Sequence, residues 1–157
     1  MATDQAPNNI TNIPSFGNLI EGEVYDPRPG AYAILFNGDG LVAVEQTPAG
    51  YYLPGGGAEP GETTEETLRR EVREECGCEI VIDREICQAI EYIRSPGHLR
   101  GVSKIGTYFV ATVGAAADCA LYDDHITHWV DIRDAAQRLV HQSQVWAVQQ
   151  VIDSQGK

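Results

Sequence analysis

Positive charge is scarce in this chain: 11 lysines and arginines stand against 23 aspartates and glutamates, for a formal net charge of −12 at pH 7. A nucleic-acid polymer or an anionic membrane needs basic surface to displace its counterions, so neither is expected as a partner. Long apolar runs are missing too. No stretch reaches the roughly 20 apolar residues that cross a bilayer, and the N-terminus has neither the basic nor the apolar region of a secretory signal. The chain is therefore expected in the cytoplasm, where Asn9-Ile10-Thr11 matches a glycosylation acceptor only by coincidence. Cysteines occur at 76, 78, 87 and 119 with no C-x-x-C spacing, which points to reduced, packed or idle thiols. Repeats and low-complexity tracts are absent. A length of 157 residues suits one domain, which at this size buries roughly 70% of the unfolded chain's surface.

What the chain does have is concentrated between Gly56 and Cys78. Thr63 followed three residues later by Glu66 is a capping box, and Gly77 supplies a left-handed stop, so a helix is expected over about Thr64 to Cys76. Leu68, Val72 and Cys76 form its apolar stripe, with Arg69, Arg73 and Glu66 expected in water. Glu71, Glu74 and Glu75 share a neighbouring stripe about 100° wide. Glu65 has Arg69, and Glu66 has Arg70, at the favourable i,i+4 spacing, but the residue four beyond Glu71 is Glu75, which repels it. Acids in the last two turns also oppose the helix dipole. A hard divalent cation, Mg²⁺ or Mn²⁺, would resolve this conflict, because clustered carboxylate oxygens are its preferred ligands. Upstream, Tyr52-Leu53-Pro54-Gly55-Gly56-Gly57 can turn sharply and bring bare backbone to a ligand, with a carbonyl near Gly55 as a further oxygen donor.

Gly56, five residues, Glu62, seven residues, Arg70-Glu71-Val72, one residue, Glu74-Glu75, one residue, Gly77-Cys78 resembles the Nudix box. Its seven fixed identities, at about 5% usage each, would coincide by chance roughly once in 10⁹ positions. The last position, usually a bulky aliphatic, is Cys78 here; it packs rather than reacts, so only local packing is affected. The resemblance implies an α/β fold, specifically an α/β/α sandwich with a mixed β-sheet. It also implies hydrolysis of a nucleoside diphosphate linked to another group, with a Mg²⁺ site made by Glu71, Glu74, Glu75 and Gly55. By the same resemblance Arg70 would orient the ligand carboxylates, Glu74 in particular, Glu62 would brace Arg70, and one box glutamate or a nearby acid would be the base. One further acid is expected a few positions before Trp129, and Asp123 and Asp124 both qualify.

Elsewhere, residues 1–14 read as a disordered tail and 15–157 as the domain, with a short strand within Phe16 to Tyr25. Ala31 to Phe36 and Leu41 to Gln46 flank Asn37-Gly38-Asp39-Gly40, a strong hairpin signal. Glu79 to Asp83, Ile86 to Ile93, Lys104 to Val113 and Ile126 to Val130 read as further strands. Asp131 is placed to cap a helix through Val140, and Val145, Val148 and Ile152 give a terminal helix its apolar face. In so acidic a chain the basic segment from Arg94 through Arg100 to Lys104 is a candidate for substrate phosphates, with an exposed hairpin loop as the alternative. Arg28 is either a phosphate contact or a solvated charge. Tyr51, Tyr52 and His128 could stack on a base or simply pack.

The leading function is a MutT-like hydrolase of ordinary or oxidised nucleoside triphosphates. Hydrolysis of a nucleotide sugar or a dinucleoside polyphosphate, and a nucleotide-sensing module without turnover, are the alternatives. The partner is a small nucleotide-type molecule, and the family resemblance leaves a homodimer open.

Overall fold

A computed structural model describes residues 13–94, 99–116 and 124–156. Among these, eight strands, β1 (Ser15–Gly17), β2 (Tyr25–Phe36), β3 (Val42–Thr47), β4 (Gly50–Tyr52), β5 (Gly55–Gly57), β6 (Cys78–Ile93), β7 (Gly101–Ala116) and β8 (Ile126–Val130), form one mixed sheet. Its order is β1-β6-β7-β2-β3-β4, with β5 pairing β2 and β8 pairing β3. The β1/β6 and β2/β7 pairs are parallel and the others antiparallel. Three helices, α1 (Thr64–Cys76), α2 (Ile132–Arg138) and α3 (Gln142–Gln155), complete the described structure.

The side-chain alternation of β2 explains how both faces come to be covered. Ala31, Ala33 and Leu35 point to one side, where with Ala43, Phe109 and Ala111 they meet Leu68 and Val72 of α1. Small residues there let the helix lie close. Tyr32 and Ile34 point to the other side, where with Val42, Val44, Tyr108 and Val110 they pack on α2 and α3 through Ala135, Ala147, Val148 and Ile152. Helices on both faces make the expected α/β/α sandwich, and they account for an unbroken buried run from Ala31 to Leu35.

Helix α1 has the expected limits: the Thr63 side chain accepts from Glu66 N, the Glu66 carboxylate accepts from Thr63 N, and Gly77 stops it at φ 71°. Its exposed side differs from expectation. Arg69 donates to the Ile80 carbonyl at 2.9 Å and Arg73 pairs with Glu79 at 3.0 Å, so both are half-buried over β6 instead of facing water. The two i,i+4 pairs do not form among the described residues, because Glu66 is used by the cap and Arg70 by other acids.

The strands expected at 79–83 and 86–93 are one strand, β6, whose register against β7 shifts at three places, including Ile82/Arg84 and Glu85/Cys87. Such bulges bend a strand without ending it. Strand β7 extends beyond the expected 104–113, and β2 begins six residues ahead of Ala31 because the parallel ladder to β7 starts at Tyr25. At the hairpin, Asn37 Oδ1 accepts from Asp39 N and Leu41 N. Helix α2 stops at Arg138, short of Val140, where the Val140 N–H leaves the helix to bond the Tyr51 carbonyl. The tail expected at 1–14 lies, for residues 1–12, outside the described residues; Pro14 already joins the sheet by accepting from Ile90 N. No helix of the described residues is long and apolar enough to cross a membrane.

Leu68 is fully buried under the sheet, whereas Val81 is 61% exposed. Leu68→Ala is expected to cost about 2–5 kcal/mol in urea unfolding, and Val81→Ala less than about 0.5 kcal/mol. Equal costs would contradict this packing.

Candidate active site

The site forms where the glycine strand crosses the end of α1. Strand β5 pairs with β2 so that Gly55 lies opposite Tyr32 and Gly56 opposite Ala31. A Cβ on Gly55, at φ 139°, would stand 2.1 Å from the Ala31 carbonyl oxygen, and one on Gly56 would stand 2.7 Å from the Glu71 carboxyl carbon. Both positions therefore require glycine, the second because a carboxylate occupies the space a side chain would take. The Gly55 N–H donates to Glu75 Oε1 at 2.8 Å, which fixes the carboxylate against bare backbone.

Glu75 is 5% exposed at its side chain. Burial, with Glu71, Glu45 and Glu74 nearby, pushes its pKa up to about 9, the Gly55 N–H opposing only part of this. Burial also raises Glu71, against the pull of Arg70. Burial first, and the nearness of Glu71 second, thus favour the protonated form of Glu75 over the ionised one.

Arg70 holds the outer side. Its guanidinium forks onto Glu62 at 2.7 and 3.0 Å and also donates to Glu71 Oε1 at 3.0 Å and to the Gly57 carbonyl at 3.1 Å. Glu62 further accepts from Glu59 N and the Thr67 hydroxyl, and Arg70 draws its carboxyl down to about 2. Arg70 lies closer to Glu71 than to Glu74, which is 3.7 Å away, so the carboxylate it chiefly orients is Glu71.

A cleft of about 220 Å³ opens over Glu75, walled also by Gly55 to Gly57, Tyr52, Lys104, His125 and Gln144. Of the expected substrate contacts it contains Tyr52, whose ring meets His141 edge-on at 5.0 Å, and Lys104, whose pKa is lowered by burial. Arg94 and Arg100 are elsewhere: Arg94 pairs with Glu23, and Arg100 forks onto Asp26 at 2.6 to 3.0 Å. Tyr51 and His128 pack on each other instead of on the cleft. Asp123 lies outside the described residues. Asp124 faces His125, 3.8 Å from its Nε2.

Sequence reasoning missed two residues beneath Glu75. His125 Nδ1 is 3.5 Å from Glu75 Oε2, and Glu45, fully buried in β3, accepts from the Cys76 thiol at 3.3 Å. Burial raises the Glu45 pKa, and its Oε1 has no hydrogen-bond partner among the described residues. The signal was present: Glu45 is the one acid in the apolar run from Leu41 to Gln46.

The sequence matches the NUDIX domain over residues 26–149, most of its length. The chain belongs to the Nudix family. Among curated Nudix-type relatives, the nucleoside triphosphatase NudI of Enterobacter sp. (strain 638) is 67% identical over 30 residues, a match covering 19% of this chain and 21% of that relative. The chain thus spans about a fifth of that relative's length. Among solved structures, a Nudix hydrolase from Nitrosomonas europaea superposes with a TM-score of 0.65 at 19% identity, covering 82% of this chain and 90% of the other. A C. elegans Ap4A hydrolase gives 0.64 at 18% identity, covering 82% and 98%. These structures share the fold of this Nudix chain.

The carboxylates suit a hard divalent cation by donor type and by their crowding, although no three His, Cys, Asp or Glu groups converge tightly enough to enclose one among the described residues. Arg70 and the Gly55 N–H hold them in separate pairs. Because the folded pKa of Glu75 lies above its unfolded value of about 4.5, its contribution is fully present below the unfolded value and is lost as pH rises toward 9. In chelator, Tm is expected to fall from pH 5 to 9 more steeply for the native protein than for Glu75→Gln, and added Mg²⁺ to raise Tm more at pH 9 than at pH 5. Parallel profiles for the two proteins would show Glu75 to be an ordinary ionised acid.

Proposed function

We propose that this Nudix chain is a Mg²⁺-dependent hydrolase of nucleoside triphosphates, ordinary or oxidised, cutting a phosphoanhydride bond to release pyrophosphate or phosphate, with Mn²⁺ as a substitute ion. The observation that carries the reading is the pair of mutually repelling acids beside a glycine strand: Glu75 lines the cleft and Glu71 lies against Gly56 of its wall. A domain that only binds a neutral or anionic ligand, with no metal ion, gains nothing from that repulsion. The short stretch of high identity to a nucleoside triphosphatase points to the same substrate class.

Glu71, Glu74 and Glu75 would hold the cation, with a backbone oxygen near Gly55 and an acid at Asp123 or Asp124. When bound, it would neutralise phosphate charge and make a water nucleophilic near neutral pH. The rest is done by the chain. Glu62 locks Arg70, and Arg70 keeps Glu71 in one rotamer despite its like-charged neighbours. The Gly55 N–H fixes Glu75 through Oε1, leaving Oε2 facing His125, and ionisation of this carboxyl on taking up a cation would release a proton to solvent. Bare backbone from Gly55 to Gly57 lets the phosphates approach without steric cost, Lys104 adds one positive charge to the wall, and Tyr52 offers an aromatic edge to the base.

The test is release of phosphate or pyrophosphate from a nucleotide panel that includes a nucleotide sugar and a dinucleoside tetraphosphate. Turnover of triphosphates is expected with Mg²⁺ and none in chelator. Glu75→Gln mimics the protonated side chain, so it should fold normally yet lower kcat by on the order of 10²-fold or more. Near-native turnover by that variant would remove Glu75 from the site.

A further inference from the structure

Beside the cleft lies a second cavity of about 500 Å³, and the two share Gly57 and Lys104 in their walls. Its other polar side chain is Arg28, accompanied by the apolar Ile93 and Val102. Arg28 and Lys104 are direct register partners on the parallel strands β2 and β7, so their side chains leave the same face of the sheet. Like charges placed opposite each other on neighbouring strands are destabilising, and among the described residues no acid lines the cavity to relieve them.

The nearest acids are committed elsewhere. Asp26, two residues before Arg28 on the same face of β2, is held by the Arg100 fork. Glu91, the register partner of Lys104 on β6, accepts from Ser143 N at 2.8 Å at the start of α3. Neither Arg28 nor Lys104 forms an ion pair among the described residues. Glu91 and Asp26 still act on Lys104 and Arg28 through space, but two adjoining cations with no direct ion pair among the described residues, in a chain of net charge −12, need a reason.

We propose that Arg28 and Lys104 form an anion subsite for a phosphate lying beyond the hydrolysed anhydride, so that the enzyme selects nucleotides with three or more phosphates over those with two. The inference rests on the proposed hydrolase activity for its substrate, but the subsite itself can be tested without it. A polyphosphate chain with one end over Glu75 passes the shared wall at Gly57 and Lys104 and brings its next phosphate to the Arg28 fork. A two-phosphate substrate, such as a nucleotide sugar, leaves that fork empty.

Inorganic tripolyphosphate is titrated calorimetrically into the full chain in chelator, with Arg28→Ala and Arg28→Lys alongside. Arg28→Ala is expected to weaken binding by about tenfold or more, as loss of a charge-assisted bidentate contact should, and Arg28→Lys by less. In turnover, the ratio of kcat/KM for a nucleoside triphosphate to that for a nucleoside diphosphate sugar should fall by about tenfold or more in Arg28→Ala. Tripolyphosphate binding unchanged by Arg28→Ala overturns the subsite, and an unchanged ratio overturns the selection. If the native chain binds tripolyphosphate through Arg28 yet hydrolyses no nucleotide, the subsite stands and the hydrolase reading falls.

Discussion

The crowding of carboxylates at the C-terminal end of α1 is the constraint around which the remaining structure is arranged. Glu75 is buried against Glu71 and Glu45, and each added negative charge makes the next one harder to keep. The chain answers in three ways. Burial favours the protonated form of Glu75, a backbone N–H from Gly55 stabilises one of its oxygens, and Arg70 places a guanidinium against Glu71. All three are local, and the Gly55 contact depends on β5 lying across the helix end at the distance set by its pairing with β2.

That distance follows from small side chains. Alanines at 31, 33, 43 and 111 let α1 settle on the sheet, and glycines at 55 and 56 let β5 run between the helix and β2. On the opposite face Tyr32 and Tyr108 stack at 5.5 Å and Gln144 of α3 lines the cleft. Gln144 of α3 then accepts from Leu53 N just ahead of the glycine strand, so the helix on one face steadies the loop that serves the other. The same scaffold supports neighbours described as a Nudix hydrolase and as an Ap4A hydrolase. The substrate must therefore be read from side chains at the rim, such as Lys104 and Arg28, and not from the fold.

What was legible in the sequence was what is local. The helix from Thr64 to Cys76, its cap, its glycine stop and the glutamate conflict are all set by residues within a few positions of one another. So was the Asn37 to Gly40 hairpin. Long-range pairing was hidden. Arg94 and Arg100 looked like phosphate-binding residues because their acids, Glu23 and Asp26, lie some seventy residues earlier and meet them only once the sheet has brought the start of β2 beside the β6–β7 connection. Arg69 and Arg73 looked solvent-bound until β6 folded back under them. Glu45 gave a sign, an acid in an apolar strand, whose meaning depended on knowing that its face of β3 looks toward Cys76.

If the carboxylates await a cation, binding that cation must expel the proton that Glu75 otherwise retains. The direct measurement is calorimetric titration of Mg²⁺ into the metal-free chain at pH 7.5, in two buffers of different ionisation enthalpy. Release of about one proton per cation is predicted for the native chain, with that release absent in Glu75→Gln. Mg²⁺ binding with no proton release, or no Mg²⁺ binding at all, would contradict it.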